Sequence, residues 1–178
     1  MPTITNTESF DGATERIARL GLQGLWEELV EIVTGFELFV HEARDSNSGA
    51  ELRGRLDLRF AQTGGWDKLA SGGVDWTKCR VVNGTSVCLG VEVQVSARSD
   101  LLIVDVVHLR DALTAGQIDV GIIVTAADPL AHFLTDRVAR YADAVEAVKR
   151  ARAEDLPLLV IGLLHDGPGP PLPKRKTR

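Results

Sequence analysis

The feature that most constrains this fold is an Asn83-Gly84 pair between two long segments rich in strand-forming residues. Asn-Gly is the strongest short-range signal for a β-hairpin, because both residues tolerate the positive φ that a tight turn requires. The flanking pattern predicts a hairpin from Val74 to Ser96. A two-residue turn pairs residues whose numbers add up to 167, so Asp75 is predicted to face Glu92.

The predicted Asp75–Glu92 pair is unfavourable unless a proton or a cation lies between the two carboxylates. Counting from the turn puts the pair at a non-hydrogen-bonded position, where Cβ atoms lie about 5 Å apart. The repulsion there is roughly 3–4 kcal/mol at an effective dielectric constant near 20. Two carboxylates suit a hard cation such as Mg²⁺, to which the Val93 carbonyl could add an oxygen. Gln94 shares a strand face with Glu92.

Two other interpretations of the acidic pair stay open on these residues alone. The hairpin register could shift by one residue, or Lys78 or Arg80 could neutralise the acids at a solvated edge. In the second strand the valines share one face, and Glu92 and Gln94 share the other. We therefore expect a polar face that need not enter the apolar core.

The remaining sequence predicts an α/β protein with a mixed β-sheet, because strands and helices alternate after the hairpin. In chain order we predict helices within residues 10–34 interrupted at Gly21–Gly24, a strand from Phe36, a half-buried strand over residues 55–60, the hairpin, a helix from Ser99 or Asp100 to a stop at Gly116, a strand from Ile118, a long amphipathic helix from Leu130 to Val148 and a strand from Leu156.

Length and composition predict one globular domain. The chain has 178 residues, of which 44% are hydrophobic and 25% charged. It has no apolar run of about 18 residues, so we expect no membrane span, and its N-terminus lacks the pattern of a secretory signal. Cys79 and Cys88 face each other in the predicted hairpin, where a disulfide is geometrically possible. Without a secretory signal we expect two reduced thiols and a cytoplasmic protein.

The C-terminal segment differs in composition from the rest of the chain. Residues 167–178 are rich in proline and carry four basic residues and no acid. Without those four charges the formal net charge of −5 becomes −9. We predict a domain over residues 1–166 and a disordered tail that either keeps the protein soluble or helps to hold a phosphate backbone. The four basic residues are Lys174, Arg175, Lys176 and Arg178.

The pattern Asp75-x16-Glu92-Val93-Gln94 resembles the PD-(D/E)XK nuclease motif, in the D…E-x-Q variant of type II restriction endonucleases of the BglII kind. The order of elements from Val74 to Asp166 also fits that family. The resemblance implies a restriction-endonuclease-like mixed sheet, flanked by helices and built on a long catalytic hairpin.

The resemblance also implies a reaction and the residues that carry it. Asp75, Glu92 and the Val93 carbonyl would bind Mg²⁺, and the catalytic residues would be Asp75, Glu92 and Gln94. Gln94 stands where most members have lysine and cannot act as a base, so the metal would have to generate the attacking hydroxide. The substrate would be double-stranded DNA and the enzyme a homodimer, because two-fold symmetric sites suit two-fold symmetric proteins. A repair or defence nuclease without palindromic specificity, and a non-catalytic DNA-binding domain, stay open.

Other charged residues are weaker candidates. His108 lies on the helix after the hairpin, where it could approach the site, meet a dimer partner or serve as a partly buried structural histidine. Glu28 or Glu31 could supply a further acid from the N-terminal helices or simply face solvent. Basic residues near the motif in sequence are predicted to contact DNA phosphates. They are Lys68, Lys78, Arg80 and Arg98.

Overall fold

A six-stranded mixed β-sheet lies between two layers of helices in the computed structural model, which describes residues 1–68, 73–96, 98–135 and 137–174. The elements are β1 (Thr3–Ser9), α1 (Ala13–Arg19), α2 (Gln23–Thr34), β2 (Phe39–Val40), α3 (Gly49–Thr63), β3 (Asp67–Lys68), β4 (Trp76–Val82), β5 (Thr85–Gln94), a 3-10 turn (Ser99–Leu101), α4 (Leu102–Thr114), β6 (Val120–Ala126), α5 (Asp128–Phe133), α6 (Tyr141–Arg150), β7 (Leu158–Leu164) and β8 (Gly167–Pro168). The sheet order is β1-β7-β6-β5-β4-β3, and β2 pairs with β8. The predicted mixed α/β fold is confirmed.

The hairpin has the predicted turn and the predicted register. Asn83 and Gly84 both have positive φ, at 51° and 81°. The strand pairs run from Val82–Thr85 to Trp76–Val91, so every pair satisfies the sum of 167. β5 then pairs with β6 in parallel, and β6 with β7, which makes β5 an interior strand of the sheet.

The two faces of β5 are covered by different helices. Its valines pack in the apolar cluster that includes residues of α1, α2, α3 and α5. Glu92 and Gln94 lie on the opposite face, toward α4. The predicted alternation is therefore confirmed, but the polar face, which was expected not to need burial, is buried. Glu92 is only 3% exposed and Gln94 only 5% exposed.

Residues 55–60 were predicted as a strand, and the structure places them inside helix α3. The alternation of leucine and charge misled the interpretation, because Leu58 is 57% exposed whereas Leu56 and Phe60 are buried. The buried residues Leu52, Leu56 and Phe60 recur every four positions, which is the helical repeat. The Ser48 hydroxyl caps the helix by accepting a hydrogen bond from the Glu51 N–H.

Two other predicted elements are shorter than expected, and one was missed. The long helix from Leu130 to Val148 is instead two helices, α5 and α6, because Leu134 is extended and Arg137 has positive φ. The strand from Phe36 is reduced to β2. β1 was not predicted, and it covers the edge of the sheet by pairing antiparallel with β7. Within the described residues, none of the helices has the length and apolar character to span a membrane.

The prediction of a disordered tail from residue 167 does not hold for the first part of that segment. β8 pairs with β2, and Leu172 is buried. The Leu172 N–H donates to the buried Asn47 side chain, and its carbonyl accepts from the Ser48 N–H. These contacts explain why the segment has a defined structure, because they provide hydrogen-bond partners for backbone groups that proline keeps out of a helix. Residues 175–178, with most of the basic charge, lie outside the described residues.

The cysteines face each other as predicted, but they form a disulfide rather than two thiols. The Cα atoms are 4.0 Å apart, as expected for a non-hydrogen-bonded pair, where facing side chains are closest. The expectation of reduced thiols is therefore wrong in this structure. The cysteines also no longer support the inference of a reducing compartment.

Candidate active site

Asp75, the residue before β4, is bound from both of its carboxylate oxygens. Its Oδ2 accepts a hydrogen bond from the Val93 N–H at 3.0 Å. Its Oδ1 pairs with Nη2 of Arg53 at 2.8 Å. The side chain is 25% exposed, so it lies at the rim rather than in the core. These contacts fix the first predicted acid against the strand that carries the second.

Glu92 is the buried acid of the site. Burial is the main reason that its pKa rises to about 10, and the negative charge of Asp75 adds to the shift. A hydrogen bond with Asp75 and the charge of Asp105 act in the same direction, while the Arg53 guanidinium opposes them. A carboxyl in this position holds its proton at neutral pH unless a cation replaces it. The repulsion predicted between the two facing carboxylates therefore appears as a raised pKa of Glu92.

Helix α4 brings two further groups to Glu92. Nδ1 of His108 lies 3.3 Å from Oε1 of Glu92. Asp105, one helical turn before His108, accepts a hydrogen bond at Oδ2 from the Gln94 amide. Burial is the largest influence on the pKa of Asp105, which rises to about 6, although the Gln94 hydrogen bond opposes the shift. One ligand atom from each of Glu92, Asp105 and His108 lies within 4.8 Å of the others.

Arg53 of α3 approaches the same site from the other face of the sheet. Its Nη1 donates to the Val93 carbonyl at 2.5 Å, while Nη2 binds Asp75. Its Nε donates to Oδ1 of Asp57 at 3.0 Å. One guanidinium therefore joins two of the three oxygens that the resemblance assigns to the metal. Sequence reasoning missed Arg53 because residues 55–60 were read as a strand, although Arg53 and Asp57 have helical i,i+4 spacing.

The residues at this site fit a hard divalent cation. Asp75, Glu92 and Asp105 interact electrostatically with one another, and carboxylate oxygens are the ligands that Mg²⁺ prefers. Buried carboxylates close together require compensation by a proton or a cation. The Val93 carbonyl, the predicted third ligand, is present at the site but already accepts a hydrogen bond from Arg53. The structure thus brings Asp75, Glu92, Val93 and Gln94 together.

The residues predicted to contact DNA are dispersed and mostly paired. Nζ of Lys68 binds Asp57 at 2.9 Å, and Nζ of Lys78 binds Glu28 at 2.5 Å. Arg98 forms an exposed pair with Asp100, and Arg80 is exposed on the hairpin. Their contact with DNA stays a prediction.

The acids considered on the N-terminal helices do not join the Glu92 cluster. Glu28 accepts hydrogen bonds from Trp66 and Lys78, which gives it a structural role between α2 and the hairpin. Glu31 is largely exposed and lies 3.7 Å from the Arg59 guanidinium. The further acid comes instead from α4, as Asp105. The signal for Asp105 was its position three residues before His108, which puts both on one face of the helix.

Comparison with known proteins gives one family. A family model described as restriction endonuclease BglII/BglIII matches residues 5–163 of the 178 residues. The match includes the N-terminal helices and α3, beyond the Val74–Asp166 segment that carried the resemblance in sequence. No curated protein matches the chain.

Proposed function

Since the chain belongs to the BglII/BglIII restriction endonuclease family, we propose that it is a Mg²⁺-dependent type II endonuclease that hydrolyses double-stranded DNA at a specific sequence. The observation that carries this proposal is the buried Glu92 carboxyl beside Asp75 and Asp105. Such a group is costly in a domain with no cation to bind, and it lies where the family motif requires a metal ligand.

Asp75, Glu92 and the Val93 carbonyl are the proposed ligands, with Asp105 and His108 beside Glu92. Mg²⁺ held there would supply positive charge for the phosphate and lower the pKa of a water molecule. The Val93 N–H donates a hydrogen bond to Asp75, which fixes the Asp75 carboxylate relative to the strand that carries Glu92. Preorganised ligands of this kind stabilise a transition state without a cost of reorganisation.

Gln94 has a defined orientation, which gives it a specific role in the proposal. Its amide N–H donates to Asp105, and a carboxylate can only accept, so the amide nitrogen must face Asp105. The Gln94 carbonyl oxygen is then the atom that can accept a hydrogen bond from the attacking water. Gln94 would orient this water but could not remove its proton.

We also propose that the enzyme is a homodimer and acts in the cytoplasm, where it would encounter incoming DNA. A two-fold symmetric dimer presents two equivalent sites to the two strands of a palindrome. Light scattering coupled to size-exclusion chromatography would give a mass of about twice 19.3 kDa. A monomeric mass in the presence of cognate DNA would contradict this part.

The function is tested by incubating the purified protein with unmethylated bacteriophage DNA and Mg²⁺. Discrete fragments are expected, and both EDTA and Glu92→Ala should abolish them. Glu31→Ala is the matched control, because Glu31 is largely exposed and outside the site. A smear of random cuts would favour a repair or defence nuclease without palindromic specificity. DNA binding that is unaffected by metal, with no cleavage, would favour a non-catalytic DNA-binding domain.

A further inference from the structure

We propose that Arg53 is a stand-in cation, which occupies the metal-binding oxygens of the metal-free protein and must leave them when the metal binds. This inference rests on the proposed function, because it concerns the same site. It makes Arg53 a positioning residue that competes with the metal, rather than an additional ligand or a structural ion pair.

The evidence for competition is the pair of atoms that Arg53 contacts. Its two terminal nitrogens bind the Val93 carbonyl at 2.5 Å and Oδ1 of Asp75 at 2.8 Å. Both oxygens are proposed metal ligands. A guanidinium presents its donors in a fixed fork, so both contacts come from one rigid group. The fork therefore bridges two ligands in the way that a bound cation would.

A metal bound to these oxygens would compete with the guanidinium, although each oxygen has more than one lone pair. Mg²⁺ binds its oxygen ligands at about 2.0–2.1 Å and demands near-octahedral geometry. Two positive groups bound to the same oxygens would repel each other strongly in a partly buried site. Metal binding is therefore expected to displace Nη1 and Nη2 from these oxygens.

Arg53 also has a third contact that keeps it near the site after displacement. Its Nε donates to Asp57, which also accepts hydrogen bonds from Lys68 and Trp76. Asp57 is thus fixed by three donors. Burial alone would raise the pKa of its carboxyl, but the donors outweigh burial and the pKa is lowered. This anchor would hold Arg53 near the rim when its terminal nitrogens lose their contacts.

The test compares Mn²⁺ affinity in wild-type protein and Arg53→Met, measured without DNA by calorimetry and by the electron paramagnetic resonance signal of free Mn²⁺. Competition predicts at least about tenfold tighter binding in Arg53→Met. Arg55→Met is the matched control, because Arg55 lies on the same helix but pairs with Glu51. It should change the affinity less than about twofold. Unchanged or weaker binding in Arg53→Met would overturn the proposal.

A second variant separates the effect of the guanidinium contacts from the effect of the positive charge. It also keeps the test possible if Arg53→Met does not fold. Arg53→Lys keeps the positive charge, but a lysine lacks the fork that bridges two oxygens. It should bind Mn²⁺ about threefold more tightly than wild type. Affinity equal to or below wild type would mean that Arg53 does not compete through its fork.

The outcomes distinguish this inference from the proposed function. If the wild-type protein binds Mn²⁺ and cuts DNA while the Arg53 variants gain no affinity, only the stand-in role of Arg53 fails. If the wild-type protein neither binds Mn²⁺ nor cuts DNA, both proposals fail.

Discussion

The two acids of one motif, Asp75 and Glu92, lie in opposite environments. Asp75 is at the rim, with an arginine on one oxygen and a backbone N–H on the other. Glu92 is buried beside Asp105 and His108, and its pKa is raised to about 10. The protein itself compensates the charge of Asp75, whereas Glu92 needs a proton or an added cation. Equivalent positions in a sequence motif therefore do not mean equivalent electrostatics.

The largest expected effect is the loss of cleavage, and it should be shared by both acids. Asp75→Ala and Glu92→Ala should each lower the DNA cleavage rate at least about a thousandfold, because metal catalysis supplies several kcal/mol of transition-state stabilisation. Circular dichroism should show that both variants remain folded. A variant that cuts at the wild-type rate would remove that acid from the site.

Substitutions of the two acids should have opposite effects on the stability of the metal-free protein. At pH 8, Glu92→Gln should raise the free energy of unfolding by about 2 kcal/mol or more, because the folded protein must keep Glu92 protonated at a pH at which the unfolded chain ionises it, and a neutral amide avoids that cost. Asp75→Asn should lower it by about 1–3 kcal/mol, because Arg53 loses one of its two charged partners. Urea denaturation measures both values. Changes of the same sign would break the comparison.

Glu92 should make the largest contribution to the pH dependence of stability. Its folded pKa of about 10 exceeds the ordinary value of 4.5, so between these values the folded state holds more protons than the unfolded state. The free energy of unfolding of the wild-type protein should therefore fall as pH rises from about 5 to about 9, relative to Glu92→Gln. Saturating Mg²⁺ should remove this slope. Parallel curves for the two proteins without metal would contradict the assignment.

The smallest effect expected here concerns His108. His108→Ala should lower the cleavage rate about tenfold, because groups that support metal ligands typically contribute at that level. His41→Ala is the matched control, since His41 is exposed and lies outside the Glu92 cluster. Equal rates for the two variants would show that the contact with Glu92 has no functional role.

The part of the site that could be predicted from the sequence is the part that the hairpin determines. The turn residues fix the register, and the register brings Asp75 to the strand that carries Glu92. The same arithmetic placed the two cysteines opposite each other. Local rules were sufficient here because neighbouring strands joined by a short turn have only one pairing that suits that turn.

The contributions of the helices could not be predicted in the same way. Arg53 reaches the site only because α3 packs on one face of the sheet, and residues 55–60 carry an alternation that also suits a strand. Asp105 lies on a helix that was predicted, but its contact with Gln94 depends on how α4 docks on the sheet. Helix docking is a tertiary property, and a sequence pattern shows the face of a helix without showing its position.

The most direct test of a cation site at Glu92 is ¹³C NMR at pH 8, which reports the protonation state of Glu92 through the chemical shift of its carboxyl carbon. The protein would carry ¹³C-labelled glutamate, and Glu92→Gln would assign the signal. Without metal, we expect the chemical shift of a protonated acid; on addition of Mg²⁺, the signal should move to that of a carboxylate. A carboxylate shift before the addition of Mg²⁺, with no response to the metal, would contradict the account.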